Sequence, residues 1–75
     1  MREVYIEYWD HKSFADWRTL DEVRVFKPVL CKIKGELVVD ADIYIVVCAE
    51  SNEDGDLSCG TAIVRGAIDK IEYID

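Results

Sequence analysis

Val4, Ile6 and Tyr8 alternate with Tyr5, Glu7 and Trp9, and this period of two in an aromatic and β-branched stretch predicts a strand over about residues 3–9. Asp10-His11-Lys12-Ser13 breaks it. Two capping-box spacings follow, Ser13 with Asp16 and Thr19 with Glu22, so one or two short helical turns are expected within residues 14–26. Pro28 biases Lys27 away from helix and closes that segment. Beyond it, Val29, Cys31, Ile33 and Leu37 fall on one face of a long strand, with Lys32, Lys34 and Glu36 on the other. Gly35 marks a bend where the sheet curves. Asp40-Ala41-Asp42 reads as a short turn. The stretch from Ile43 to Ala49 is apolar on both faces, as expected of a central strand. Ser51 to Leu57 is a polar loop with the hairpin dipeptide Asp54-Gly55 at its tip. Cys59–Val64 and Ala67–Ile74 read as a last hairpin pivoting on Arg65-Gly66, where a glycine supplies a positive φ. Five strands with short connections and one short N-terminal helical segment predict a mainly β chain, a small five-stranded antiparallel barrel.

Size narrows the picture. The chain of 75 residues holds one domain spanning 1–75, and a domain of this length buries only about 60% of its unfolded surface. A hydrophobic fraction of 51%, with two Trp, four Tyr and two Phe, is high for so short a chain. Some of that apolar surface is therefore expected to be covered by another copy or a partner. No apolar run approaches the roughly 18 residues that span a bilayer, and Met1-Arg2-Glu3 lacks the apolar centre of a signal peptide. A cytoplasmic protein with no membrane partner is the expectation. Cys31, Cys48 and Cys59 are odd in number and include no Cys-x-x-Cys pair, which indicates neither a disulfide framework nor a zinc site. Buried free thiols are expected.

The formal net charge is −7, which opposes gross attraction to nucleic acid, but the charges are unevenly placed. From Gly35 to Val64 there are seven carboxylates and no Lys, Arg or His. The rest of the chain balances nine cations against nine carboxylates. Arg24, Lys27, Lys32 and Lys34 run without an intervening acid, so one acidic and one basic surface are expected.

Little in the chain points to catalysis. His11 is the only histidine, no Ser or Cys has a nucleophile's context, and His11 beside Asp10 reads as an exposed turn residue. The chain is expected not to be an enzyme and to need no cofactor. Glu50-Ser51-Asn52-Glu53-Asp54-Gly55 imitates a calcium loop, yet the twelfth position is Thr61 instead of the closing Glu, and the flanks read as strands. Trp9, Phe14 and Trp17 offer faces for base stacking. The simpler expectation for them is core, because Trp17, Leu20 and Val23 have the spacing of a short amphipathic segment that caps a barrel end. Arg65 is, on the residues alone, either a solvated turn residue or a displayed contact.

Ile63-Val64-Arg65-Gly66 followed by Ile68, Ile71 and Ile74 resembles the second motif of the Sm-like (LSm-type) proteins, which has an apolar strand, a basic residue, Gly and spaced apolar residues. Gly35, Leu37, Asp40, Ile43 and Tyr44 resemble the first motif. The chain as a whole also resembles small phage-type Sm-like proteins with a Trp-containing N-terminal segment. It departs from the family in four ways. The interval from Gly35 to Asp40 is one residue shorter than usual, the first apolar residue after Gly66 comes one early, Tyr44 replaces the base-contacting Asn, and a strand at residues 3–9 precedes the helix.

The resemblance implies a homo-oligomeric ring that binds single-stranded RNA, or DNA, at turns lining a pore. Its last strand would pair with the edge of the next subunit. Tyr44 would stack a base and Arg65, beside Gly66, would contact a phosphate or a base face. Asp40 would hold its loop or Arg65 in place, with Lys32 and Lys34 as further contacts. The acidic 35–64 segment supports an alternative, an interaction or scaffold barrel without a nucleic-acid role.

Overall fold

In the computed structural model, which describes residues 2–74, the elements run β1 (Arg2–Asp10), α1 (Leu20–Arg24), β2 (Val29–Asp40), β3 (Tyr44–Ser51) and β4 (Leu57–Val64). A 3₁₀ turn at Arg65–Ala67 leads into β5 (Ile68–Ile74). The five strands form one sheet in the order β4-β3-β2-β1-β5, with every pairing antiparallel. The chain is therefore mainly β. Its small helix lies between the first two strands. The central strand is β2; the doubly apolar stretch from Ile43 onward, expected to be central, is β3, one place nearer the edge. Its two faces are buried unequally: Ile45 and Val47 are fully buried, Val46 is half-buried and Tyr44 is exposed, while Cys48 on that second face is buried as well.

β2 is long because two different partners share it. Val29 to Leu37 pair with β1, and from Glu36 to Asp40 the strand pairs with β3. Beyond Cys48, β3 continues with β4 alone, so the two hairpins diverge near Gly35. A Cβ on Gly35 would stand 2.4 Å from the Cys48 carbonyl oxygen. Here glycine is required because two backbones approach too closely for any side chain.

The inner face is apolar and small. Val4 and Ile6 of β1, Ile45 and Val47 of β3, and Ile63 of β4 form the buried cluster, flanked by half-buried Tyr8, Ile33, Leu37, Ile68 and Ile71. On β1 to β3 these residues keep the period of two; on β5 a register shift between the Glu7–Lys70 and Tyr8–Ile68 pairs puts Ile68 and Ile71, three residues apart, on the same face.

The Arg65-Gly66 segment departs from the expected hairpin. β4 and β5 do not pair; they are the two opposite edges of the sheet. Gly66 does not have a positive φ, and the turn is one of 3₁₀ type. In a flat sheet the outer two of five strands stand about 19 Å apart, whereas the four steps from Val64 to Ile68 reach at most about 14 Å. The sheet must curl at this end. It is not closed between β4 and β5.

The expected N-terminal helical turns are reduced to α1. Thr19 caps it in a full capping box, with Glu22 N donating to Thr19 Oγ1 at 3.2 Å and Thr19 N donating to Glu22 Oε1 at 3.3 Å. The Ser13–Asp16 spacing starts no helix, and there Phe14 packs edge-to-face on Phe26 at 4.8 Å. Trp17 is fully exposed, against the expectation that it would be core, and Leu20 and Val23 are exposed with it. The thiols also differ from expectation. Cys48 is buried, Cys31 is half-buried, and Cys59 is exposed on β4 with a φ of 54°. Among the described residues, no helix is long and apolar enough to cross a membrane.

Candidate nucleic-acid interface

Two turns that are distant in sequence meet at one end of the sheet. The first follows β2, where Ala41 N donates to the Tyr44 carbonyl at 3.0 Å and closes a tight reversal into β3. The second begins at Arg65, whose backbone N donates to the Ile43 carbonyl at 2.9 Å. The side chain of Arg65 reinforces the junction. Its Nε donates to the Ala41 carbonyl at 2.8 Å, and its Nη2 forms a short ion pair with Asp40 Oδ1. Arg65 is thereby fastened to the first turn by both its backbone and its guanidinium.

Both partners of the ion pair are partly exposed, Arg65 at 39% and Asp40 at 56%, so the pair contributes only about 0–1 kcal/mol to stability. Its consequence is positional. Two of the five guanidinium N–H groups are engaged, and the planar group is held with its remaining donors available. Tyr44, the first residue of β3, stands opposite Val64 in the ladder, one residue before Arg65. It is 40% exposed and flanked by exposed Ile43 and Val64. The end of the sheet therefore carries an accessible aromatic ring and a fixed cation on an apolar surround. Asp40 and Asp42 together outweigh the charge of Arg65, so the cluster is locally acidic.

Of the six residues singled out by sequence, Asp40, Tyr44, Arg65 and Gly66 gather at this end. Lys32 and Lys34 do not. They stand eight and six residues back from Asp40 along β2, roughly 26 and 20 Å away at strand spacing. In the ladder they face Glu7 and Tyr5 across the outer surface of β1, and Lys34 Nζ is paired with Glu3 Oε1 at 3.3 Å. On the other side of β1, Glu7 and Tyr5 face Lys70 and Glu72. Such alternation of opposite charges stabilises a solvated face. The displaced pKa values also lie on this face or beside it. Burial pushes the Tyr5 hydroxyl above its usual value, helped by its hydrogen bond to Glu7, and burial raises Tyr8 beside Cys31. The Glu72 carboxylate raises Lys70.

The partners that sequence reasoning missed are backbone groups. The carbonyls of Ala41 and Ile43 hold Arg65, and no residue type advertises a carbonyl acceptor. His11 is exposed at the end of β1, its backbone N donating to Asp10 Oδ1 at 2.9 Å. Among the described residues, no group of three or more His, Cys, Asp or Glu side chains is arranged to hold a metal ion. No protein-family model, curated protein or solved structure matches the chain.

Proposed function

We propose that the chain is an Sm-like subunit whose open sheet closes by pairing with further copies, and that the resulting ring binds single-stranded RNA, or DNA, at Tyr44 and Arg65. The observation that carries this reading is the fastening of Arg65 to Asp40, Ala41 and Ile43, which brings the two motif-bearing turns together beside an exposed tyrosine. Tyr44 stacks a base, and the unengaged guanidinium donors contact a phosphate or a base edge. The free edges support assembly. β4 reads Leu57-Ser58-Cys59-Gly60-Thr61-Ala62-Ile63-Val64, with no charge and no proline to discourage pairing. β5 is a different edge with Asp69, Lys70 and Glu72, so pairing β4 with a neighbour's β5 is head-to-tail, an arrangement that gives a ring when the rotation between copies closes.

Filter binding with short homopolymers tests the function, and light scattering tests the assembly. Arg65→Ala is expected to remain assembled while losing a charge-assisted hydrogen bond worth about 1.5–3 kcal/mol, a loss of roughly 10- to 150-fold in affinity. Wild-type affinity is expected to fall as salt is added, because phosphate contacts release counterions. Equal binding by wild type and Arg65→Ala rejects the site. A second reading, a scaffold without a nucleic-acid role, draws on the local excess of Asp40 and Asp42 over Arg65. It predicts an assembled protein that binds no homopolymer even at low salt.

A further inference from the structure

The segment between β1 and β2 leaves the sheet as an arm, and its apolar residues face solvent. Trp17, Leu20 and Val23 are 101%, 64% and 41% exposed, and α1 buries none of its residues. The arm is nevertheless built. Phe14 and Phe26 pack edge-to-face across its base, the Arg18 guanidinium lies over both rings at 5.0 and 5.8 Å, and Lys12 lies over Phe26 at 5.2 Å. With the Thr19 capping box, these contacts give the arm a defined local conformation in which Trp17, just before α1, and Leu20 and Val23 within it stay exposed. Apolar groups already ordered in this way lose less freedom when another molecule covers them.

Surface area indicates how much must be covered. A compact monomer of 8.6 kDa exposes about 4,700 Å², whereas this chain exposes 5801 Å². The excess of roughly 1,100 Å² compares with about 800 Å² buried per partner in a standard interface. The shape agrees, since the radius of gyration is 15.6 Å against about 11 Å for a compact domain of this length.

A receiving surface exists on the same chain. Residues 8–11, which include the charged Asp10 beside Tyr8 and Trp9, residues 62–64 and Ala67 line a shallow cleft of about 130 Å³ between the end of β1 and the free edge β4. A cavity of about 150 Å³ takes a benzene ring, so this cleft has room for one branched apolar side chain. The edge pairing proposed above also delivers the arm there. Antiparallel pairing turns the start of a neighbour's β5 toward Val64, and Ile68 is the ladder partner of Tyr8, two residues before β1 ends and the arm begins.

We infer that the arm is an assembly element, in which the exposed Trp17, Leu20 and Val23 of one copy cover the cleft between β1 and β4 of a second copy, with Leu20 entering it. The inference rests on the self-association proposed above and adds the contact that completes it. The test joins light scattering with tryptophan emission. The difference between wild type and Trp17→Phe isolates Trp17 from Trp9. In the assembled protein Trp17 emission is blue-shifted, and on dilution it returns to the red as the copies separate. Leu20→Asp, at an exposed position that leaves the monomer fold intact by circular dichroism, raises the dissociation concentration at least ten-fold.

An assembled wild type with red Trp17 emission and an unaffected Leu20→Asp variant overturns the arm contact and leaves the ring standing. A monomeric wild type overturns both. Blue emission independent of concentration means that the arm closes on its own cleft, and this too overturns the inference. Assembly that depends on Leu20 without homopolymer binding supports the arm contact and rejects the nucleic-acid reading alone.

Discussion

Gly35→Ala is the substitution whose cost is most directly set by geometry. The added methyl would stand 2.4 Å from the Cys48 carbonyl oxygen, 2.9 Å from its carbonyl carbon and 3.1 Å from Ala49 Cα. All three atoms are backbone, so no side chain can rotate out of the way. A tolerable carbon-to-oxygen contact is about 3.3 Å, which requires β2 and β3 to part by roughly 1 Å where Glu36 pairs with Cys48. Overpacking of this kind costs about 1–3 kcal/mol, and one or two weakened ladder hydrogen bonds add about 0.5–1.5 kcal/mol each. Restricting the unfolded chain returns about 0.4–1 kcal/mol. The net expectation is a destabilisation of about 2–4 kcal/mol, the midrange of those terms, which lowers Tm by roughly 10–25 °C in a domain of this size. Thermal melting by circular dichroism at one fixed protein concentration measures it, since the proposed assembly would make Tm concentration-dependent. A variant that melts with or above wild type would refute the close approach of the two backbones.

Gly66→Ala is expected to behave oppositely, because no atom lies within 4 Å of the added Cβ and the φ there is not positive; a gain of about 0.4–1 kcal/mol should raise Tm by a few degrees. Ile6→Ala removes a fully buried side chain from a small core, and its cost of about 2–5 kcal/mol is a large share of a total near 5–15 kcal/mol, so the variant should be largely unfolded at 37 °C by circular dichroism. Alkaline pH should destabilise the fold. Tyr5, Tyr8 and Lys70 all have pKa values raised above 10.0, 10.0 and 10.5, so the folded state holds these protons more tightly. The stability they contribute is complete below those values and is lost as pH rises through the higher folded ones. Tm measured across this alkaline range should fall, and a Tm that rises there contradicts the assignment.

The strands were legible because a sheet with one buried face writes its period into the sequence. Val4, Ile6 and Tyr8 announced β1 to within a residue of its ends, and Asp54-Gly55 announced the hairpin tip, where Gly55 has a φ of 87°. Partner choice was not legible in the same way. Arg65-Gly66 carries the local signature of a hairpin, yet the chain curls and delivers β5 to β1, a non-local outcome decided by Ile68 and Ile71 packing on the core of β1 and β3. The glycines exchanged importance for the same reason: Gly66 looked obligatory from its neighbours, while the need for Gly35 comes from a backbone distant in sequence. Trp17, Leu20 and Val23 show the limit of periodicity. Their spacing marks an apolar face and cannot say whether the chain supplies what covers it.

Arg65 occupies the one place where both free edges of the sheet begin, the end of β4 and the start of β5. Its two roles there are separable. The backbone bond from Arg65 N to the Ile43 carbonyl continues the β3–β4 ladder into the turn, and it survives removal of the side chain. The guanidinium adds only the bonds to Ala41 and Asp40, an exposed set whose loss costs about 0–1 kcal/mol. The curl of the sheet, and with it the spacing of the two edges that neighbouring copies would join, therefore depends on backbone geometry and on Ile68 and Ile71. A side chain that contributes so little to the fold, yet is held to an acid and a carbonyl beside an exposed tyrosine, is the group whose removal should change ligand contact without changing assembly.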